Sequence, residues 1–460
     1  MDTTGGGRAR SVLIISTLVS ALAGFLFGYD NIVISGAIGF LKAFYHLNPV
    51  STGWAAGCAL IGCLIGAASA GSVADKFGLK KSLYWCAFCF AFSSAGVALA
   101  PSFSQYILWR IVGGVGIGAA SIVAPMYIAE IAPQRVRGRL VVLYQLGIVL
   151  GILAAVFTNL LIQKSGDEIW DMQRGWRWMF AVGAFPAFVF AAMIFLSKES
   201  PRWLMKAGRC AEAQKVLEAS DGEEIASTLV TEITNALEEE QGGIAELITG
   251  PFRRALITGL ILAAFTQISG ITCLLSYLPE VFKSAGQNVS DSFLQSVLVG
   301  VVNVLFTCCA IWLVDKAGRK TLILTGTAMQ TLALSAVAFM YYSHARGTAI
   351  LIGIVTFVAG HAVGNGAVCW VIISEIFPTK VRGTAMSIAT TALWVSAYLA
   401  NQFFPLMQKE LGSHGTFLFF AIMAAANFTF VFVWVPETKG YALEEISRIW
   451  LKDQKKELAA

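Results

Sequence analysis

The chain has 460 residues, of which 57% are hydrophobic and 13% charged, and its formal net charge is +5. With a mean hydropathy of +0.69, it has too few polar residues for a soluble protein of this length, so we predict an integral membrane protein. Apolar stretches of about 20 residues, enough for a helix to cross a bilayer core of about 30 Å, recur along the whole chain. They run continuously instead of alternating with polar residues, which favours helices over a β-barrel.

Twelve such stretches are predicted to be transmembrane helices, six in each half of the chain. The first six are 12–40, 52–74, 82–100, 103–125, 140–163 and 176–197. The second six are 254–282, 291–314, 321–342, 348–373, 384–407 and 415–435. The predicted fold is therefore all-α, with an N-terminal six-helix bundle (1–197), a cytoplasmic helical linker (198–252), a C-terminal six-helix bundle (253–436) and a cytoplasmic tail (437–460).

The two halves carry the same charged segments in the same order. The segment that runs from Glu130 to Gly138 returns as the segment from Glu375 to Gly383, and Asp75-Lys76-Phe77-Gly78 returns as Asp315-Lys316-Ala317-Gly318. A membrane protein built from two like halves is typical of a transporter whose substrate site lies between them.

Lysine and arginine in the short loops predict the orientation, because cytoplasmic loops carry an excess of these residues. One side collects Lys76, Lys80, Lys81, Arg135, Arg137, Arg139, Lys316, Arg319, Lys320, Lys380 and Arg382. Both termini and the linker fall on this side, so we expect them to be cytoplasmic in a multi-pass protein of the cell membrane. The positive net charge follows from this bias and requires no nucleic-acid partner.

An enzyme is not expected. The linker is too short for a separate catalytic domain, and the spans hold no cluster of nucleophile, base or metal ligands. The nine cysteines mostly lie inside predicted spans, where small packing residues are a better interpretation than metal ligands or disulfides. No phosphate-binding loop is present, so the sequence predicts no cofactor, no metal site and no ATP-driven pump.

Six motifs in a fixed order cover nearly the whole chain. They are Gly71-x-x-x-Asp75-Lys76-x-Gly78-x-Lys80-Lys81, Arg110-x-x-Gly113-Gly114-x-Gly116-x-Gly118, Glu199-Ser200-Pro201-Arg202, Gln267-x-x-Gly270-Ile271-Thr272, Asp315-Lys316-x-Gly318-Arg319-Lys320 and Pro436-Glu437-Thr438-Lys439-Gly440. The ordered set resembles the sugar porter family of the major facilitator superfamily, most closely its bacterial proton-coupled pentose and hexose symporters. The resemblance implies two six-helix bundles around a central cavity, and a monosaccharide and a proton as partners.

Acidic and basic side chains at the predicted cytoplasmic helix ends suit a gate. Partly desolvated ion pairs at a membrane face can bias which side is open. The candidates are Asp75, Glu130, Arg137 and Glu199 in the first half, and Asp315, Arg319, Glu375 and Arg382 in the second. In the family such networks brace the outward-facing state. Alternatively the cations only fix orientation, which is the interpretation we favour for Lys80, Lys81 and Lys320.

A single carboxylate, Asp30, lies inside the first span, and the one cation inside the fourth span is Arg110. An ionised carboxylate there costs about 2.5–3.5 kcal/mol, so it should be paired or protonated. Proton-coupled relatives carry this acid, whereas facilitative relatives carry an uncharged residue. We predict that Asp30 takes up a proton and loosens its pair with Arg110 during transport. The alternative is a static bridge between two helices.

Polar residues in the middle of spans are scarce, and a sugar needs amide or hydroxyl partners together with an aromatic plate. The predicted sugar site comprises Gln145, Thr266, Gln267, Thr272, Tyr277, Asn303, Trp370 and Trp394. By resemblance, Gln145, Gln267, Asn303 and Trp370 fall on family sugar-contact positions. Thr266, Thr272 and Leu393 replace amide residues that are common there, so a pentose, a hexose or a polyol would fit.

Alternatives remain at this point. Polar residues in a span can simply bond neighbouring helices, for about 0.6 kcal/mol each, and Tyr277 and Trp394 can pack against helices or lipid. The same fold also serves facilitative uniporters and non-transporting sugar sensors, although sensors usually carry a long cytoplasmic tail. We expect the protein to function as a monomer in the bilayer.

Overall fold

A computed structural model describes residues 3–133, 136–239, 247, 252–345, 347–377 and 381–439. Every regular element among these residues is a helix, in agreement with the predicted class. In the described part of the chain, eleven helical stretches are long and apolar enough to cross a membrane. The last of them, Gly383–Trp434, contains two predicted spans, and Gly412, with a φ of 67°, is the kink that divides it. All twelve predicted spans therefore fall on observed helices.

The helices of the first half follow the predicted spans closely. They are α1 (Thr3–Ile32), α2 (Ile34–Phe44), α3 (Pro49–Phe77), α4 (Leu79–Leu99), α5 (Phe103–Ile131), α6 (Arg137–Gln163), α7 (Glu168–Trp170), α8 (Trp176–Ala181) and α9 (Ala184–Leu196). A π-helical turn, Asp171–Gly175, joins α7 to α8. The first span is divided into α1 and α2 at Val33, three residues after Asp30.

The described residues of the linker region form three helices: α10 (Pro201–Lys206), α11 (Cys210–Asp221) and α12 (Glu223–Glu239). Ser200 caps α10 by accepting a hydrogen bond from the Trp203 backbone N–H. Leu204, Ala213 and Val216 form a small buried cluster that holds α10 and α11 together. This part of the predicted helical linker is therefore helical as far as Glu239.

The second half begins with a broken span. Its helices are α13 (Arg253–Ile268), α14 (Ile271–Ser276), α15 (Leu278–Ser284), α16 (Val289–Ala317), α17 (Arg319–Tyr342), α18 (Thr348–His361), α19 (Ala367–Ile376) and α20 (Arg382–Trp434). A π-helical turn, Ala362–Gly366, joins α18 to α19. The seventh span breaks at Gly270, whose φ of 95° is left-handed, a conformation that glycine adopts without steric cost.

The chain forms two compact units that do not follow the two halves of the sequence. The first unit comprises Met1–Val33, Ile61–Ala155 and Arg177–Gln241. The second comprises Ile34–Leu60, Val156–Trp176 and Gly242–Ala460. Two segments of the first half, one holding α2 and one holding α7, thus pack with the second half. The four-part domain division proposed from the sequence stays a prediction.

Close helix packing supports each unit. In the first, a Cβ at Gly118 of α5 would lie 2.0 Å from the Cys63 carbonyl oxygen of α3, so only glycine permits this approach. In the second, a Cβ at Gly326 of α17 would lie 2.5 Å from the Gly360 carbonyl oxygen of α18. Small residues let membrane helices approach closely, where dispersion contacts replace the hydrophobic effect as the main attraction.

Candidate functional site

The buried ion pair that the sequence predicts is present in the first unit. Arg110 Nη1 donates both to the Asp30 carboxylate Oδ1, at 3.2 Å, and to the Asp30 backbone oxygen, also at 3.2 Å. Asp30 is 5% exposed and Arg110 is 1% exposed. Such a pair is stable only because each charge offsets the desolvation of the other.

Only one carboxylate oxygen of Asp30 is used by Arg110. The other, Oδ2, is buried and has no hydrogen-bond partner among the described residues. It faces α5, because a Cβ at Gly113 would lie 3.2 Å from Asp30 Oδ2 and 2.3 Å from Ser93 Oγ. The guanidinium also lies over the Phe180 ring, with Cζ 5.2 Å from its centroid. Oδ2 is thus an acceptor that a proton can occupy without displacing Arg110.

The predicted sugar residues of the seventh span flank its break. Thr272 Oγ1 donates a short hydrogen bond to Gln267 Oε1, which joins the two sides of the Gly270 kink. Both side chains are half-buried, so they remain within reach of a ligand. A hydroxyl and an amide held together across a break are well suited to bind sugar hydroxyl groups.

Two further residues of this span are engaged inside the second unit. Thr266 is buried, and its hydroxyl lies 2.9 Å from the Leu262 carbonyl and 3.3 Å from Cys369 Sγ. The Tyr277 hydroxyl lies 3.3 Å from the Thr52 carbonyl. The Tyr277 ring stacks on Phe404, with centroids 4.8 Å apart. The contacts observed for Thr266 and Tyr277 are therefore with helices of the protein, which is the alternative to a role in sugar binding.

The remaining predicted sugar residues differ in burial and in unit. Asn303 and Trp394 are buried in the second unit, and Trp370, in the same unit, is half-buried. Gln145, also half-buried, belongs to the first unit. Their joint role as a sugar site stays a prediction.

At the predicted cytoplasmic end of the first unit, the acids bind residues of the linker. Asp75 Oδ1 accepts from Lys206 Nζ at 2.8 Å, and its backbone oxygen accepts from Trp203 Nε1 at 2.9 Å. Glu130 accepts a short hydrogen bond from Ser200 Oγ. The structure thus brings the linker helix α10 to both acids, a role for the linker that the sequence did not predict.

Glu199 caps a membrane helix. Its Oε1 accepts from the Lys80 backbone N–H at 2.9 Å, in the first turn of α4, and a carboxylate near a helix N-terminus is stabilised by the helix dipole. Lys80 Nζ in turn donates to the Ser197 carbonyl at 2.6 Å. Lys80, interpreted from the sequence as an orientation signal, therefore also binds the end of the sixth span.

The second unit repeats this arrangement with Glu437. Its carboxylate accepts from the backbone N–H groups of Arg319, at 3.0 Å, and Lys320, at 3.2 Å, in the first turn of α17. Lys320 Nζ donates to the Phe432 carbonyl at 2.9 Å. Glu437 is absent from the predicted gate. The parallel between Glu199-Ser200-Pro201 and Pro436-Glu437-Thr438, both past the last span of a half, is the signal that could have found it.

Two of the residues predicted for the gate form an ion pair in the second unit, a pairing that was not specified from the sequence. Arg319 Nη2 lies 3.4 Å from Glu375 Oε1, with both side chains largely buried. For Arg137, Asp315 and Arg382 the structure describes the helical backbone only, so their predicted roles lie outside the described side chains. The described residues contain no group of three or more His, Cys, Asp or Glu side chains arranged to hold a metal ion.

Comparison with known proteins assigns the family. The family model for "Sugar (and other) transporter" matches residues 16–450. The chain belongs to the sugar transporter family. The arabinose–proton symporter of Bacillus subtilis is 40% identical to this sugar transporter over 447 residues, which cover 97% of this chain and 96% of the relative. The D-xylose–proton symporter of Escherichia coli is 36% identical, with 97% of each chain covered.

Solved structures agree with this assignment. The inward-open xylose transporter XylE of Escherichia coli superposes on this sugar transporter with a TM-score of 0.85, at 35% identity, covering 95% of this chain and all of that one. The proton:xylose symporter XylE bound to 6-bromo-6-deoxy-D-glucose gives a TM-score of 0.82, at 35% identity. The fold is therefore that of the major facilitator superfamily, and the protein is a multi-pass membrane transporter, not an enzyme.

Proposed function

We propose that this sugar transporter is a sugar–proton symporter of the cell membrane, with both termini cytoplasmic. The observation that carries the proposal is the buried Asp30–Arg110 pair, 3.2 Å between Oδ1 and Nη1. Relatives whose names describe arabinose–proton and D-xylose–proton symport match almost the whole chain. The uneven distribution of Lys and Arg supports the orientation.

Asp30 is the proton site in this mechanism. A proton from the outside binds the carboxyl, for which the unbonded Oδ2 is available. Neutralisation weakens the attraction to Arg110 and lets the loaded carrier rearrange; on the inside the proton leaves and the ion pair reforms. One proton moving down 100 mV supplies about 2.3 kcal/mol, enough for roughly 50-fold accumulation of one sugar.

The substrate is a monosaccharide, and a pentose is the first candidate because the two relatives are named for arabinose and xylose. Gln267 and Thr272, joined across the Gly270 break, are the best-supported ligand groups. Gln145, Asn303, Trp370 and Trp394 complete the proposed set together with Thr266 and Tyr277. The protein works as a monomer in the bilayer.

The cytoplasmic gate uses the acids and bases of the two repeated segments. Arg319 and Glu375 form one of its pairs, while Asp75 and Glu130 bind the linker helix. Arg137, Asp315 and Arg382 are the remaining proposed members. Breaking these contacts as the inner side opens would couple linker movement to the transport cycle.

Purified protein in liposomes tests the proposal. Labelled pentoses, hexoses and polyols are supplied with and without an imposed pH gradient, and we expect one class to accumulate only with the gradient. Asp30→Asn should abolish accumulation while sugar exchange at equal pH persists; Glu212→Gln, at an exposed pair with Arg209, should change neither. Exchange that ignores the pH gradient in the wild type would instead identify a uniporter.

A further inference from the structure

A second carboxyl is buried in this protein, at the opposite end of the spans from the linker. Asp171 is 1% exposed and begins the π-helical turn Asp171–Gly175. Neither of its carboxylate oxygens has a hydrogen-bond partner in the described part of the chain. The side chain of Gln163 lies close enough to favour a negative charge on Asp171 through a weak hydrogen bond, although no contact to either carboxylate oxygen meets the usual distance and angle limits. Because a charge without a partner is costly to bury, the neutral carboxylic acid suits this position better than the carboxylate.

Aromatic contacts fix the position of this turn against α2. Trp176, which directly follows the turn, is fully buried. Its ring lies 5.7 Å from Phe44 and 6.0 Å from Tyr45, centroid to centroid. All of these residues belong to the second unit, so a change in the turn acts directly on the end of α2.

Charged groups of both signs surround Asp171. Asp167 and Glu168, on the same segment, repel a negative charge on it, and Lys283 of α15 attracts one. Arg174 of the turn and Lys42 of α2 are exposed to solvent. A negative charge on Asp171 would therefore attract Lys283 and alter the interactions that Lys283 makes inside the unit.

Lys283 already binds another carboxylate. Its Nζ lies 2.8 Å from Glu280 Oε1 and 5.6 Å from the centroid of the Phe40 ring. Glu280 Oε1 rests directly on α2, since a Cβ at Gly39 would lie 2.4 Å from it. The Glu280–Lys283 pair of α15 therefore contacts α2 at Gly39 and Phe40, and we call this contact the clamp.

We propose that Asp171 is a second proton-binding residue of this transporter, which keeps α2 clamped when it is protonated and releases it when it is ionised. In the neutral form Lys283 stays with Glu280. Loss of the proton creates a negative charge that competes for Lys283 and is repelled by Asp167 and Glu168. The turn then moves toward water, and α2 loosens from α15.

The proton comes from the water on one side and returns to the same side, so it is not transported. That side is the outer one under the orientation in the proposed function, and this part of the inference rests on that function. The proton-to-sugar ratio of Asp171→Asn should therefore equal that of the wild type. Acid outside would favour the clamped state, in step with protonation of Asp30.

Infrared spectroscopy of the sugar-free protein in lipid nanodiscs tests the site directly. On titration to alkaline pH we expect a protonated-carboxyl C=O band to disappear; it should be missing at all pH values in Asp171→Asn and retained in Asp167→Asn, a matched control on the same segment. A band that titrates identically in Asp171→Asn would overturn the proposal. This readout requires neither sugar nor coupling, so it can succeed or fail independently of the symport assignment.

Hydrogen–deuterium exchange tests the clamp. After correction for the intrinsic rate, exchange over residues 34–45 and 278–286 should rise about tenfold per pH unit as the pH approaches the titration midpoint from below and level off above it, as for opening linked to the loss of one proton. Asp171→Asn should show no such rise, and Asp171→Glu should retain it. If Asp171→Asn does not fold, Lys283→Gln tests the clamp instead. This variant lacks the cation of the Glu280–Lys283 pair, so residues 34–45 and 278–286 should exchange fast at every pH. A pH-independent wild type, or slow exchange in Lys283→Gln, would contradict the clamp.

Discussion

Arg110 donates from one guanidinium nitrogen to two oxygens of the same residue, the carboxylate Oδ1 and the backbone oxygen of Asp30, each at 3.2 Å. The backbone contact does not depend on the charge of Asp30. Protonation of the carboxyl can therefore weaken the pair without freeing the guanidinium completely, which limits the energetic cost of leaving a cation in the membrane interior.

The two members of this pair should differ in how costly they are to remove. Asp30→Leu leaves an arginine that cannot lose its proton and should destabilise the protein by about 3–5 kcal/mol. Arg110→Leu should cost less, because the Asp30 carboxyl left behind can become neutral. Thermal unfolding in a single detergent measures both, with the exposed Glu212→Gln as control. Equal losses for the two variants would show that Asp30 does not adjust its protonation.

The hydroxyl–amide pair across the seventh-span break should carry sugar affinity. We expect the combined change Gln267→Ala and Thr272→Ala to abolish sugar-dependent quenching of tryptophan fluorescence, since both hydrogen-bonding groups are lost. Thr325→Ala removes a hydroxyl whose hydrogen bonds within the described structure are to carbonyls of its own helix, and it should leave quenching intact. Unchanged binding in the double variant would refute this part of the sugar site.

The left-handed Gly270 should not tolerate a side chain. Gly270→Ala imposes a φ of 95° on alanine and brings its Cβ within 3.0 Å of the Phe420 ring, so we expect a loss of about 1–2 kcal/mol and weaker sugar binding. Gly71→Ala is the control, because a Cβ there meets nothing within 4 Å. Thermal unfolding and sugar titration of both variants provide the comparison; equal stability would mean that the break does not need glycine.

Glu437 should stabilise the second unit as a helix cap. Glu437→Ala exposes two backbone N–H groups at the start of α17 and should cost about 1–2 kcal/mol, while Glu437→Gln, which keeps an acceptor, should cost less. Glu410, an exposed acid, provides the neutral control as Glu410→Gln. If the alanine and glutamine variants unfold at the wild-type temperature, the cap contributes nothing.

Several features could be read directly from the sequence. The length of the apolar stretches determines where a chain crosses a bilayer, so all twelve spans were predicted. The Asp30–Arg110 pair was predicted because the first span holds one acid and the fourth holds one cation, and buried charges must be neutralised.

Other features depend on which elements meet in space. Three contacts join positions that are distant in the sequence. The helix α2 and the segment around Asp171 pack with the second half. Glu437 caps α17, and α10 binds Asp75. Hydropathy and charge indicate the environment that a residue requires. Apolar stretches must be buried in lipid or protein and buried charges must be neutralised, so the sequence alone determined the spans and the buried pair. Hydropathy and charge do not report which partner supplies that environment, because many arrangements of apolar helices bury the same area; only tertiary packing selects one.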